Sequence, residues 1–198
     1  MDRVDSHDST DVETFARRVA RFDTTTVVRI DPAEGDTRAL WAVLPIDVVV
    51  HRIADSHVAP GRYHAEALLE SVPAASQSRW RQRLPKSPLT VVESIPETEI
   101  YRIDQAAAAA LRERRGHGIG DRRLRDVLLD HVVIQVESAG RRLDVRQRLV
   151  SGLMRMAFLG GDLDGHVQVL CDRSDRVGLR ARNGEVWELD RTLSLTPR

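Results

Sequence analysis

The sequence of 198 residues contains a single cysteine, Cys171, and a single lysine, Lys86. One cysteine excludes a disulfide within the chain and a zinc site built from several thiolates. The N-terminus lacks a basic segment followed by an apolar one, and the apolar runs are too short to span a membrane. We therefore expect a cytoplasmic protein with no membrane partner.

An excess of charge is also missing, because the formal net charge is zero. The total charge therefore does not require nucleic acid or a membrane surface as a partner. The positive residues are nearly all arginine, and Ala, Val and Asp are frequent. This composition indicates a GC-rich genome, and because a halophilic protein would be strongly acidic, we expect an actinobacterial source.

One segment carries a family resemblance. The stretch from Leu149 to Gly160, with the sequence LVSGLMRMAFLG, resembles short actinobacterial proteins to which no activity is assigned. The resemblance extends over the last third of the chain. It implies the origin of the protein and nothing about its chemistry.

The clearest local pattern runs from Ser94 to Gly116 and predicts one long helix. Ser94 and Glu97 have the spacing of a capping box, and Pro96 fits a first helical turn. Gly116 is a typical C-terminal cap. Apolar side chains recur at helical spacing on one face, namely Ile100, Ile103, Ala107, Ala110 and Leu111. We expect this helix to be the spine of the core; the alternative is a partner-docking surface.

The region before this helix is predicted to start with a disordered tail, residues 1–10. A helix with the apolar stripe Val12, Phe15, Val19 and Phe22 follows. Hydrophobic patterning then predicts strands at 25–30, 38–44, 46–53 and 89–93, a helix at 63–72, and a short helix within 73–88.

The region after Gly116 is predicted to contain helices at 122–129 and 146–159 and a hairpin of 131–137 with 141–145. Alternating residues indicate three further strands, the last two joined at Asn183-Gly184. A two-residue loop there would place Leu179 opposite Glu188. We expect instead a three-residue loop, Arg182-Asn183-Gly184, which places Leu179 opposite Trp187. Cys171 falls on a buried alternation and is expected to be an inert core residue.

These elements together indicate an α+β fold with an antiparallel sheet and a central helical layer. The order helix, strand, strand, strand occurs near the N-terminus and again from Arg146, so the chain could be a duplicated α-β-β-β unit; chance repetition is the alternative. We expect one domain at 11–198, with lobes 11–93 and 94–198.

Candidate chemical motifs are weak. Gly116-His117-Gly118-Ile119-Gly120 is similar to a phosphate loop but follows a helix and lacks the lysine. His51, His57 and His64 match no metal-ligand spacing, and Asp162 to Gly165 covers only part of a calcium loop. A Gly-x-Ser-x-Gly elbow is absent. The sequence therefore assigns no catalytic residue, metal or cofactor.

The candidate interaction surface is an arginine-rich region between Arg112 and Arg155, where basic residues outnumber acidic ones. Such a region could contact phosphates or another protein, or pair with acids at helical spacing. The residues assigned to this surface are Arg112, Arg114, Arg115, Arg122, Arg123, Arg125 and Trp80. The Trp80 ring could stack on a partner or pin its loop to the core.

By elimination, the leading hypothesis is a non-catalytic, cytoplasmic protein-binding or chaperone-like module whose partner is another protein. The first alternative is a nucleic-acid-binding protein that uses the Arg112 to Arg155 region. The second is an enzyme of unknown reaction, which a pocket that gathers His51, His57 or His117 with carboxylates would favour.

Overall fold

The computed structural model of the protein describes residues 8–70, 72–114, 121–138, 140–161 and 164–190. Residues 1–7, most of the predicted tail, lie outside this description. The chain divides into two compact units: Met1–Pro45 with Val49–Gln82, and Ile46–Val48 with Arg83–Arg198.

The first unit begins with helix α1 (Asp8–Ala20). Val12, Phe15 and Val19 are buried, as their spacing predicts, and Phe22 is half-buried. The helix packs against strand β2 (Thr37–Leu44) and against a 3₁₀ turn at Ala67–Leu69. The apolar stripe of α1 therefore covers one face of a sheet.

That sheet is antiparallel where β1 (Val27–Pro32) pairs with β2 and with β4 (Gly61–His64). The strand order is β4-β1-β2-β3, with β3 at Val48–Asp55. Ile30 lies opposite Leu40 on one side and Gly61 on the other. The strands predicted at 25–30, 38–44 and 46–53 are confirmed, with ends shifted by up to about two residues.

Two helices predicted in this region are wrong. The described residues 63–70 form the end of β4 and the 3₁₀ turn, because the chain stays bonded to the β1 side through Ala65 N–H to the Thr26 carbonyl and Glu66 N–H to the Thr24 carbonyl. Residues 72–89 contain no helix. Pro73, Pro85 and Pro88 remove backbone donors there, which disfavours helix formation.

The second unit contains three described helices that pack on one another: α2 (Glu97–Arg114), α3 (Asp121–Asp130) and α4 (Gln147–Arg155). Its larger sheet has the strand order β10-β9-β8-β5. A separate hairpin pairs β6 with β7. The strand bounds are β5 (Thr90–Pro96), β6 (Val132–Ser138), β7 (Arg141–Arg146), β8 (His166–Cys171), β9 (Val177–Ala181) and β10 (Gly184–Glu188).

Helix α4 forms the centre of this unit. Leu149, Val150 and Leu153 are fully buried, and the helix packs against β9 and β10. A Cβ atom on Gly152 would lie 2.7 Å from the side chain of Val186, so the absence of a side chain allows the helix to approach the sheet closely. The core therefore lies between α4 and the sheet.

Helix α2 has nearly the predicted extent, but the predicted capping box is wrong. The helix begins at Glu97, whose carboxylate accepts hydrogen bonds from the backbone N–H groups of Gly160 (2.8 Å) and Gly161 (3.1 Å). The prediction that α2 is the spine of the core is also wrong, since Glu97 and Ile100 are its buried residues among those described. The residues of its alanine-rich face are half-buried or exposed.

The β9–β10 hairpin has neither of the registers considered from the sequence. Its loop is Arg182-Asn183, so that Leu179 lies opposite Val186, and Trp187 opposite Gly178. Asn183 is held by hydrogen bonds to the Phe158 and Leu159 carbonyls. This docking places Asn183 inside the loop and shifts the register by one residue relative to the prediction.

Cys171 is half-buried rather than a core residue. Burial raises the pKa of its thiol, and the charges of Asp175 and Asp172 raise it further. The thiol is therefore less ionised than that of a free cysteine at neutral pH.

The two units share one order of elements. Helix α1 is followed by the meander β1-β2-β3, and α4 by the meander β8-β9-β10. The first strand of each meander has an additional antiparallel neighbour, β4 in the first unit and β5 in the second. The predicted α+β class, with an antiparallel sheet, a helical layer and repeated α-β-β-β units, is confirmed.

Candidate protein-binding groove

A groove of about 470 Å³ lies in the second unit, between α2, α3 and the start of β6. Its walls are mostly apolar and its rim carries Arg102 and His131. The apolar lining consists of Ile103, Ala106, Ala107 and Ala110 on α2, Val127 and Leu128 on α3, and Val132 and Val133 on β6. We call this cavity the α2–α3 groove.

The α2 wall follows directly from the sequence. Positions 103, 106, 107 and 110 fall on one helical face, and three of them are alanine. Alanine side chains are too short to reach the opposite helix, so space remains between the two backbones. Val127 on the opposite wall is 60% exposed and adds to the apolar surface of the groove.

Gln147, the first residue of α4, contributes a polar group to the lining of the groove. Its side chain is 3% exposed, its backbone N–H donates to the His131 carbonyl (2.8 Å), and its Nε2 lies 3.4 Å from Ser151 Oγ. Within the described residues its Oε1 has no hydrogen-bond donor. A buried amide oxygen without a donor costs free energy, which a bound N–H group would recover.

Part of the arginine surface predicted from the sequence can be placed. Arg112 on α2 and Arg123 and Arg125 on α3 are exposed, and they make no ion pair within the described part of the chain. Arg114, Arg115 and Arg122 lie outside the described side chains. Arg112, Arg123 and Arg125 are outside the groove lining, although they belong to the two helices that form it.

Most of the arginines between residues 141 and 148 form ion pairs within the chain. Arg141 pairs with Asp175 (2.5 Å), Arg142 with Asp144 (3.6 Å) and Arg146 with Glu188 (3.5 Å). Arg148 is buried and pairs with Asp47 and Asp130. These pairs neutralise much of the basic excess that the sequence places in this region.

Trp80 belongs to the first unit, whereas the arginines belong to the second. Its ring is half-buried, and its Nε1–H donates a hydrogen bond to the Gln82 carbonyl at 2.7 Å. These contacts fit the interpretation in which Trp80 holds its own irregular loop in place.

The histidines considered as metal ligands have other contacts. His51 stacks on Trp41 with ring centroids 3.8 Å apart, and His64 lies between the Thr25 carbonyl and Ser76 Oγ. The described residues contain no group of three His, Cys, Asp or Glu side chains arranged to hold a metal ion. His117 and the surrounding glycine loop lie outside the described residues, as does part of 162–165.

Sequence reasoning found the α2 wall of the groove but missed the residues on α3 and β6 and the contribution of Gln147. The available signal was the run of alanines on the apolar face of α2, because short side chains leave space beside a helix unless a neighbour fills it. In the described part of the chain, no helix is both long and apolar enough to cross a membrane.

The fold is similar to that of a bacterial DNA polymerase sliding clamp. A crystal structure of the clamp from Caulobacter crescentus matches with a TM-score of 0.52 and 12% identity, over 96% of this chain and 67% of the clamp chain. A second C. crescentus structure, with polyethylene glycol bound to a proposed beta-motif tethering region, matches with a TM-score of 0.50 and 14% identity, over 96% of this chain and 63% of that chain. At such low identity the likeness establishes the fold and not the activity.

The sequence itself defines the family more closely. A domain of unknown function, DUF8185, matches residues 84–192, which is more than half of the chain. A second domain of unknown function, DUF8010, matches residues 2–91. The chain therefore belongs to the DUF8185 family. A sequence comparison with curated proteins gave no match.

Proposed function

We propose that the chain is a non-catalytic, cytoplasmic protein-binding module that holds an apolar segment of another protein in the α2–α3 groove. The observation that carries the proposal is the uncovered apolar face of α2. Three alanines and Ile103 line a groove that the described residues leave open. An apolar surface of this kind on a folded protein is a typical binding site.

The groove has the size to enclose a few side chains of a partner rather than to form an extended interface. Its volume of about 470 Å³ lies within the range of pockets that enclose most of a small ligand or a few side chains. Ala107 and Val127 offer apolar contact, and Gln147 offers an acceptor for an N–H group. A peptide segment supplies both kinds of contact.

The sliding-clamp comparison gives further support for a binding role. The C. crescentus clamp carries a proposed tethering region for a beta-motif, so a protein of this fold can serve to hold another molecule. The proposed site in this chain is the α2–α3 groove, whatever the position of that region in the clamp.

The proposal can be tested by affinity purification of the tagged protein from its own host after nuclease treatment. Three forms are compared: the wild type, Ala107→Arg, and Gln105→Arg. Ala107 lines the groove, whereas Gln105 is exposed and lies on the opposite side of α2. Both variants add the same charge to the same helix.

We expect a partner in stoichiometric amount with the wild type and with Gln105→Arg. Recovery with Ala107→Arg should fall at least about tenfold, because a guanidinium in an apolar site must be desolvated. Equal recovery with all three forms, or recovery that nuclease abolishes, would contradict the proposal.

A second candidate function is nucleic-acid binding, favoured by the exposed Arg112, Arg123 and Arg125, which make no ion pair within the described residues. Replacing all three with Gln should then lower the affinity for DNA. The slope of the logarithm of the affinity against the logarithm of the salt concentration should also become shallower, by the amount expected for the loss of about three phosphate contacts. If the protein does not bind DNA at low salt, this candidate function is ruled out.

A further inference from the structure

A second cavity of about 470 Å³ lies within the second unit and has a strongly charged lining. Its wall is formed by the segment at 83–86, the start of α4, the turn at 172–176 and the end of β10. Its basic side chains are Arg83, Lys86, Arg146, Arg148 and Arg176. We call it the charged cavity.

The carboxylates in the charged cavity already have cationic partners. Arg148 lies 3.0 Å from Asp47, Arg146 lies 3.5 Å from Glu188, and Arg83 lies 3.8 Å from Asp190. The negative charges of this lining are therefore engaged by arginines.

Asp172, the remaining carboxylate, is held most firmly. It is buried and accepts hydrogen bonds from the backbone N–H groups of Lys86 (3.0 Å), Ser174 (2.7 Å) and Arg176 (3.0 Å) and from the Arg176 guanidinium (3.3 Å). Burial acts to raise the pKa of Asp172, but these donors outweigh it and hold the pKa below its ordinary value. The carboxylate is ionised and fully engaged.

Lys86 differs from the arginines around it. Its backbone is fixed at both ends of the residue, because its N–H donates to Asp172 and its carbonyl accepts from the Arg173 N–H (3.1 Å). Its ammonium group nevertheless makes no ion pair within the described residues. The fold therefore places a lysine at the cavity, and the carboxylate to which its backbone is bonded, Asp172, already accepts from several other donors.

Arg148 adds a buried donor to the lining of the cavity. The residue is 5% exposed, and its two terminal nitrogens bond Asp47, Asp130 and the Ile46 carbonyl. Within the described residues its Nε–H has no acceptor. A buried N–H of a charged side chain without an acceptor costs free energy, which a bound acceptor would recover.

We propose that the charged cavity binds a small oxyanion, a phosphate or carboxylate group, through the exposed Lys86 ammonium, with the buried Arg148 Nε–H as a further donor. Both groups are donors on cationic side chains, and such donors form their strongest hydrogen bonds with an anionic acceptor. The Ser174 hydroxyl, which also lines the cavity, provides a further donor. This site is separate from the α2–α3 groove and does not depend on it.

The single lysine allows a site-specific test on the full-length protein. Reductive methylation with ¹³C-formaldehyde labels Lys86 and the N-terminal amine and retains the lysine charge. The dimethyl-lysine NMR signal is followed while sodium phosphate or sodium acetate replaces sodium chloride at constant ionic strength. Isothermal titration of the unmodified protein with the same anions measures the affinity.

We expect a saturable shift of the Lys86 signal with phosphate, acetate or both, and the anion that saturates identifies the ligand class. Lys86→Gln should weaken the affinity at least about tenfold, since it removes a charge-assisted contact. Arg173→Gln is the matched control: it removes an exposed charge from the neighbouring turn outside the cavity lining, and the affinity should change less than about twofold. No saturable shift, or an equal loss in both variants, would overturn the proposal.

Discussion

Glu97 shows how one buried side chain joins two distant segments. Its side chain is nearly inaccessible to solvent, at 1% exposure, and its carboxylate accepts the N–H groups of Gly160 and Gly161. Its own backbone N–H donates to the Gly165 carbonyl at 2.8 Å. The start of α2 is therefore fixed to the loop that follows α4.

Replacing Glu97 should be costly. Glu97→Ala leaves two backbone donors without acceptors, and we expect the free energy of unfolding to fall by about 2–4 kcal/mol. Urea denaturation followed by circular dichroism measures the change. Glu99→Ala, two residues along the same helix, removes an exposed ion pair with Arg102 and should cost less than about 0.5 kcal/mol. Equal costs would show that the Glu97 contacts do not stabilise the fold.

Asp172 should contribute stability that depends on pH. The pKa of Asp172 in the folded protein lies below the ordinary value of 3.8. The Asp172 carboxylate therefore binds a proton more tightly in the unfolded chain than in the folded protein. The contribution is complete above about pH 4 and is lost as the pH falls through the lowered folded-state pKa.

The corresponding variant is Asp172→Asn, which we expect to lower stability by about 2–3 kcal/mol at pH 7. Urea denaturation between pH 7 and pH 2.5 should show this difference shrinking below pH 4. Asp175→Asn, which alters an exposed ion pair with Arg141, serves as the control and should change little at any pH. If the stability difference between Asp172→Asn and the wild type stays constant with pH, the result would contradict an ionised Asp172 carboxylate with a lowered pKa.

Among the elements, α2 shows what sequence patterns can and cannot predict. Its extent and apolar face follow from the 3.6-residue period, which is a local signal. Its start was misassigned because Glu97 bonds Gly160 and Gly161, more than sixty residues away in the chain. Its exposure was misassigned because periodicity identifies an apolar face but not what covers it.

The β9–β10 hairpin depends on a contact that turn propensities do not encode. Asn183-Gly184 favours a turn, but the register follows from Trp187 lying over Gly178. A Cβ atom on Gly178 would lie 2.5 Å from the Trp187 ring. The glycine is therefore required for the observed register.

Gly178→Ala tests this register. The added methyl group would overlap the Trp187 ring, and we expect a loss of about 1–3 kcal/mol in the free energy of unfolding. In a Trp187→Leu background the same substitution should cost less than half as much, because the overlap is relieved. If the cost is the same in both backgrounds, the two residues are not in contact and the register is incorrect.

For the full chain, the repeated order of one helix and three strands was predictable because each element carries its own hydrophobic period. The ion-pair networks and the α2–α3 groove were not, because they join residues far apart in sequence. Arg148 and Asp47, for example, are separated by 101 positions. The likeness to sliding clamps at 12% identity shows that such a fold tolerates almost complete replacement of its residues.

The most direct test of the binding proposal is a titration of the captured partner against the wild type, Ala107→Arg and Gln105→Arg at about 50 and 300 mM salt. If the partner occupies the α2–α3 groove, Ala107→Arg should raise Kd at least about tenfold, or about 1.4 kcal/mol. Gln105→Arg should leave Kd within about twofold, and salt should have little effect, because apolar contacts are weakly screened. A Kd that rises steeply with salt and is equal for Ala107→Arg and the wild type would contradict the proposal and favour binding through the exposed arginines.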